Sequence, residues 1–127
     1  MGGGASKQRV ATLKGHTDGV WAVASYTTQA GAVRVVSGSC DKTVRIWDPD
    51  TQRLLATLQG HADSVWAVAS YTTQAGAVRV VSGSWDKTIK IWDPDAQSLL
   101  ATLLRKSEKF SILEPGRLTQ AWNIFHL

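Results

Sequence analysis

Apolar positions in this chain alternate over short spans and stop at turn residues. Over residues 19–25 the order GVWAVAS puts Val20, Ala22 and Ala24 on one side of an extended segment and Trp21 and Val23 on the other. Both sides are apolar, so this strand expects cover on both faces. Residues 26–32 form a turn region in which Gly31 is the permissive residue. Residues 33–37 are rich in β-branched side chains and strand-like. A tight connection over 38–42 leads to a third strand over 43–47. Asp48-Pro49-Asp50 stops it, because proline cannot donate to a ladder and aspartate favours turns. Residues 54–58 read as a fourth strand. Upstream, residues 10–13 have the same character and end at Lys14-Gly15. Helical periodicity is absent from this span.

The whole pattern is then stated again. Residues 56–100 repeat residues 11–55 at a constant offset of 45, with eight differences. Gly15 and His16 recur as Gly60 and His61, Trp21 as Trp66, Asp41 as Asp86, and Trp47 as Trp92. A fixed period of this size signals stacked or circular repeats. Four short strands per 45 residues predict an all-β chain with one four-stranded antiparallel sheet per copy, the sheets packed face to face. The divisions that follow are a glycine-rich leader over 1–9, a first repeat over 10–58, a second over 59–104, and a tail without repeat signal over 105–127.

Gly-His followed by SGSxDKTxxIWD, twice in register, resembles the WD40 repeat. The resemblance covers residues 10 to about 103. It implies that each sheet is a blade of a β-propeller, the chain being a fragment of about two blades plus a leading strand. It also implies that the outermost strand of a blade precedes the Gly-His of the next. The family's hydrogen-bonded set falls on His16, Ser37, Asp41 and Trp47, and again on His61, Ser82, Asp86 and Trp92. Such a set has its own physical sense. A buried indole N–H needs an acceptor, a serine hydroxyl accepts and donates onward, and a histidine bridges to the aspartate. A satisfied network of this kind rigidifies a fold.

Serine, histidine and aspartate are also the residue types of a hydrolytic triad. A triad requires an exposed nucleophile, a pocket and an oxyanion site, and a set repeated at identical spacing suits architecture better. His16 and His61 lack the accompanying ligands of a metal site. No cofactor and no catalysis are expected. The resemblance implies a protein-interaction scaffold whose partner, a protein or peptide, meets the top rim. The rim positions are Gly19, Trp21 and Cys40, then Ser64, Trp66 and Trp85. Tryptophan is the residue most enriched at binding hot spots. Trp21 and Trp66 also suit packing between blades, whereas Trp85 sits in a tight turn and is the better candidate for exposure.

Composition adjusts this picture little. The 127 residues are 43% hydrophobic and 19% charged, as in ordinary globular chains. The net charge of +4 sits largely outside the repeats, which argues against a nucleic-acid groove. Arg34, Arg45, Arg79 and Lys90 read as solvated edge or groove residues. The single cysteine, Cys40, permits no internal disulfide, and no secretory segment is apparent. The expected location is the cytoplasm, with the nucleus as an alternative. MGGGAS at the start matches an N-myristoylation pattern at Gly2, and acylation there would make the protein a membrane-associated adaptor. In the tail, residues 115–127 suit a short helix with Leu118, Ala121, Trp122 and Phe125 on one side. Finally, propellers close with 4–8 blades. Two blades leave two apolar faces of about 320 Å² each, so completion by copies of itself or by a longer propeller is expected.

Overall fold

The computed structural model describes residues 10–106, 109–114 and 117–120. The strands are β1 (Val20–Thr27), β2 (Val33–Ser39), β3 (Val44–Asp48), β4 (Arg53–Leu58), β5 (Val65–Thr72), β6 (Val78–Ser84), β7 (Thr88–Asp93), β8 (Ser98–Lys106), β9 (Lys109–Glu114) and β10 (Arg117–Gln120). They form two antiparallel sheets, one ordered β1-β2-β3-β4 and one ordered β10-β9-β8-β7-β6-β5. The two repeats pair in the same register. Val35 faces Trp47 as Val80 faces Trp92, and both first strands carry a bulge, at Val20/Ala22 and at Val65/Ala67.

Local chemistry fixes the turns. Asp48 Oδ1 accepts the amides of Asp50 at 2.9 Å and Thr51 at 3.3 Å, so the aspartate itself closes the turn that ends β3. Lys42 and Lys87 take the left-handed conformation, with φ of 75° and 71°, at the β2–β3 and β6–β7 connections. The Lys42 amide donates to the Ser39 carbonyl at 3.1 Å there.

The sheets stack, and the core lies between them. Val36, Val44, Ile46, Ala56 and Leu58 of the first sheet meet Val65, Val80 and Trp92 of the second. The register places Val36 and Gly38 on one face of β2, with Ile46 and Val44 opposite them, and Val35 and Ser37 on the other face. We call these the trailing and leading faces. The trailing face of the first sheet packs on the leading face of the second. The sheets come close at Gly38, where an added Cβ would lie 2.7 Å from Val65 Cγ1 and 3.1 Å from Val68 Cγ1. Two polar contacts pin the stack. Ser70 Oγ donates to the Ser25 carbonyl at 3.2 Å, and Gln29 Nε2 donates to the Gly76 carbonyl at 2.7 Å.

Three expectations from sequence are corrected. Residues 10–13 form no strand, and Val10 is almost fully exposed. They carry the same Ala-Thr-Leu that lies in β4 and β8, but those strands form by pairing with β3 and β7. Strand character without a ladder to join leaves the backbone to water. In the tail, the helix expected over 115–127 is a strand at Arg117–Gln120, and the rest of that span is outside the described residues apart from this strand. β8 offers an open row of backbone donors and acceptors, and β9 pairs along it from Thr102↔Leu113 to Lys106↔Lys109. Pro115-Gly116 is a turn dipeptide in the sequence, and the register pairs Glu114 with Arg117 across it. The second sheet is therefore wider than the first. Lys90, expected in solvent, is buried. Its Nζ donates to Thr102 Oγ1 at 3.1 Å, and its stem passes Gly60, with Cδ and Cε 3.9 Å from where a Cβ there would lie.

Gly38 gives a direct check on the stacking. Gly38→Ala inserts a methyl group against Val65 and should cost about 1–3 kcal/mol by overpacking. Gly19→Ala, where nothing lies within 4 Å, should be neutral by comparison. Urea unfolding of the two variants measures the difference, and equal midpoints would contradict the packing described.

Candidate functional site

Each repeat builds one chain of buried hydrogen bonds that ties its entry loop to its sheet. In the first, Trp47 on β3 donates its indole N–H to Ser37 Oγ on β2 at 2.8 Å. Ser37 Oγ stands 2.6 Å from His16 Nε2, and His16 Nδ1 stands 2.7 Å from Asp41 Oδ2. The second repeat matches it. Trp92 donates to Ser82 at 2.8 Å, Ser82 lies 2.7 Å from His61 Nε2, and His61 Nδ1 lies 2.8 Å from Asp86 Oδ2. The histidine ring also sits edge-on to the tryptophan, with centroids 5.9 Å apart in one repeat and 6.3 Å in the other. All eight residues named from sequence are thus brought together in two sets of four.

The charges are held by geometry. Burial depresses His61 below its usual value, outweighing the opposite pull of Asp86, so the ring is neutral near pH 7. A neutral ring facing a carboxylate carries its proton on Nδ1, and Nε2 then accepts from Ser82. Protons therefore point one way along the chain, from indole to hydroxyl to imidazole to carboxylate. Burial alone would raise Asp86, but the Thr88 hydroxyl, the Ala62 amide and His61 reverse this and lower it to about 2. Asp41 resists the same burial through Thr43, His16 and the Thr17 amide, which hold it well below the usual carboxylate range.

The threonines went unnoticed in the sequence. Thr43 Oγ1 donates to Asp41 Oδ1 at 2.5 Å, as does Thr88 Oγ1 to Asp86 Oδ1, and each threonine amide donates to the same oxygen. Ser39 and Ser84 went unnoticed too. Each accepts the amide of the network aspartate and donates to a loop carbonyl, that of Asp18 or Asp63. The signal was present in the duplicated SGS and DKT, since Asp-x-Thr is a side-chain-closed turn.

At the rim, backbone bonds join the positions that the family resemblance singles out. The Cys40 amide donates to the Gly19 carbonyl at 2.9 Å, and the Trp85 amide to the Ser64 carbonyl at 3.0 Å. Trp21, Trp66 and Trp85 are 63%, 50% and 66% exposed. The Trp21 indole N–H points to Cys40 Sγ. In the second repeat Trp85 replaces that cysteine and its ring lies 6.2 Å from that of Trp66. Beside this pair a cleft of about 450 Å³ opens, lined also by Gly83, Thr88 and Ile89. Gly2 lies outside the described residues. Among the described residues, no group of three or more His, Cys, Asp or Glu could hold a metal ion.

Two predictions follow from the network. Ser82→Ala leaves the Trp92 N–H and the His61 ring without their partner, and should cost about 1–3 kcal/mol in denaturant unfolding. A midpoint equal to that of the unaltered chain would remove the network from the list of stabilising features. The second concerns pH. Below about 6.5 the unfolded chain protonates His61 more readily than the folded one, so stability falls as pH drops through that value. As pH falls from 3.8 toward about 2, Asp86 adds a further loss. Thermal melts between pH 8 and pH 3 should show a level region, then a decline starting near 6.5. Stability that rises below 6.5 would contradict the first assignment, and stability that rises below 3.8 the second.

The family model described as WD domain, G-beta repeat, matches residues 7–48 and 52–93, more than half of the chain. None of the curated proteins compared matches it. The boundaries agree with the offset between sequence repeat and blade. The first match ends at Asp48, the last residue of β3, while β4, which completes that sheet, falls within the second match. WD40 repeats generally mediate protein–protein interaction. Two consecutive matches laid over two blades of one plan make this chain a member of the WD-repeat family.

Proposed function

We propose that this chain is a non-catalytic protein-interaction module that presents its rim tryptophans to a protein or peptide partner. The observation that supports this is the exposed Trp66–Trp85 pair beside an apolar cleft, on a loop frame held by buried hydrogen bonds. Large aromatic side chains that are exposed but held in place suit binding, because little conformational entropy remains to be lost. The first repeat has Cys40 where the second has Trp85, so the two rims are not equivalent and a partner would favour the second. Additional blades would complete the propeller, whether from other copies or from a longer chain.

A hydrolase reading has less support. Ser37 and Ser82 are buried, and each hydroxyl oxygen already accepts an indole N–H. Neither has the access that a nucleophile needs.

Peptides selected for binding from a displayed library provide the test. Trp85→Ala should weaken the selected peptides at least about tenfold while circular dichroism and melting stay unchanged. Unchanged affinity would overturn the rim assignment. A collapsed fold would mean that Trp85 belongs to the core.

A further inference from the structure

The duplication supplies an internal comparison. The same side chains occur once against a neighbouring blade and once without one. Val65 is 0% exposed where it meets the first sheet, and its counterpart Val20 is 52% exposed. Val80 is fully buried and Val35 only half-buried. On the opposite faces, Val44 is fully buried while Ile89, its counterpart, is half-buried. Among the described residues, the leading face of the first sheet and the trailing face of the second are therefore both open. Within the chain, the equivalent faces already close on each other.

We propose that the occupant of both open faces is a second copy of this chain, joined head to tail through the contact that β5 and β6 make on β2 and β3. This rests on the reading of the Trp66–Trp85 cleft as a protein-binding surface, and names its partner. The seat has the right shape. Val65 sits over Gly38 within the chain, and the equivalent Gly83 is vacant, with nothing nearer to an added Cβ than Ala67 at 3.7 Å. Trp85 walls this seat without filling it, since the cleft remains open beside it. Val20 of the next copy would enter over Gly83 as Val65 does over Gly38. β9 and β10 lie beyond β8, so they widen the outer side of the sheet and leave the stacking region of β5 and β6 clear.

Area decides the form of the assembly. One contact between two faces of about 320 Å² each covers about 640 Å². That is below the roughly 1,200 Å² that stable complexes bury. A closed ring gives every chain two such contacts, about 1,300 Å² in all. Head-to-tail contacts close when the rotation permits, and propellers close at 4–8 blades, so the ring holds two to four copies.

Light scattering after gel filtration, run over a concentration series, should find the unaltered chain at two to four times its own mass, with no larger species. Val23→Arg should abolish assembly from the leading side, because Val23 is 69% exposed and its counterpart Val68 packs on Gly38. Gly83→Arg should abolish it from the trailing side. Mixed together at high concentration, the two variants should form a 1:1 pair that grows no further, since each retains the face the other has lost. That rescue requires both variants to be folded. A monomeric unaltered chain, or assembly that survives either variant, would overturn the proposal. Failure of the broader reading has a different signature. A monomeric chain that still binds selected peptides at Trp85 remains an interaction module without self-association, whereas a chain that does neither loses both.

Discussion

The constraint that governs this molecule is that a sheet apolar on both faces must be covered on both. A four-stranded antiparallel sheet with one wet face would alternate polar and apolar residues along each strand. These strands do not. Val35 and Val36, Val80 and Val81, and Val20 with Trp21 put apolar groups on both sides. Among the described residues, the first sheet finds cover for one face only, in the second. The contrasts in burial between Val20 and Val65, Val35 and Val80, and Ile89 and Val44 follow from that single stacking contact, because the two sequences are nearly the same.

The buried hydrogen-bond chains have a different job. Stacking orders the sheets but does not fix the loops above them. The Trp–Ser–His–Asp sets reach from the middle of each sheet to the loop that enters it, and tie down the Gly-His segment and the β2–β3 or β6–β7 connection together. The aspartate holds both, accepting from one loop amide on each side. The rim tryptophans sit at the ends of these tethered segments. A binding surface on loops is thereby given some of the rigidity of the sheet, at the expense of burying a carboxylate that four donors then satisfy.

Much of this was legible in the sequence, for a physical reason. Strand, turn and repeat are all local signals, and the period of 45 residues stated each of them twice. The partners of His16 and His61 were legible too, through the family resemblance. What escaped were matters of non-local pairing. Residues 10–13 have the character of β4 but lack a neighbouring strand, and propensity cannot report whether a partner exists. The tail shows the converse, since β9 joins the open edge of β8 and β10 joins that of β9, against the weak helical pattern over 115–127. Lys90 escaped because it and Arg45 face equivalent threonines, Thr102 and Thr57, yet bond differently: Arg45 Nε donates to Thr43 Oγ1 at 3.2 Å, whereas the Lys90 ammonium donates to Thr102 Oγ1. The side-chain closure of the turns by Thr43 and Thr88 was written in the sequence and overlooked.

Duplication carries one more consequence. Ala-Thr-Leu occurs at 11–13, 56–58 and 101–103, and its second and third occurrences lie in β4 and β8, the fourth strand of each repeat's sheet. While the polypeptide is still collapsing, either segment is chemically suited to either vacancy. Adjacent modules this alike are prone to exchange elements and become kinetically trapped. Chain connectivity favours the correct choice, because β4 follows β3 across a short turn.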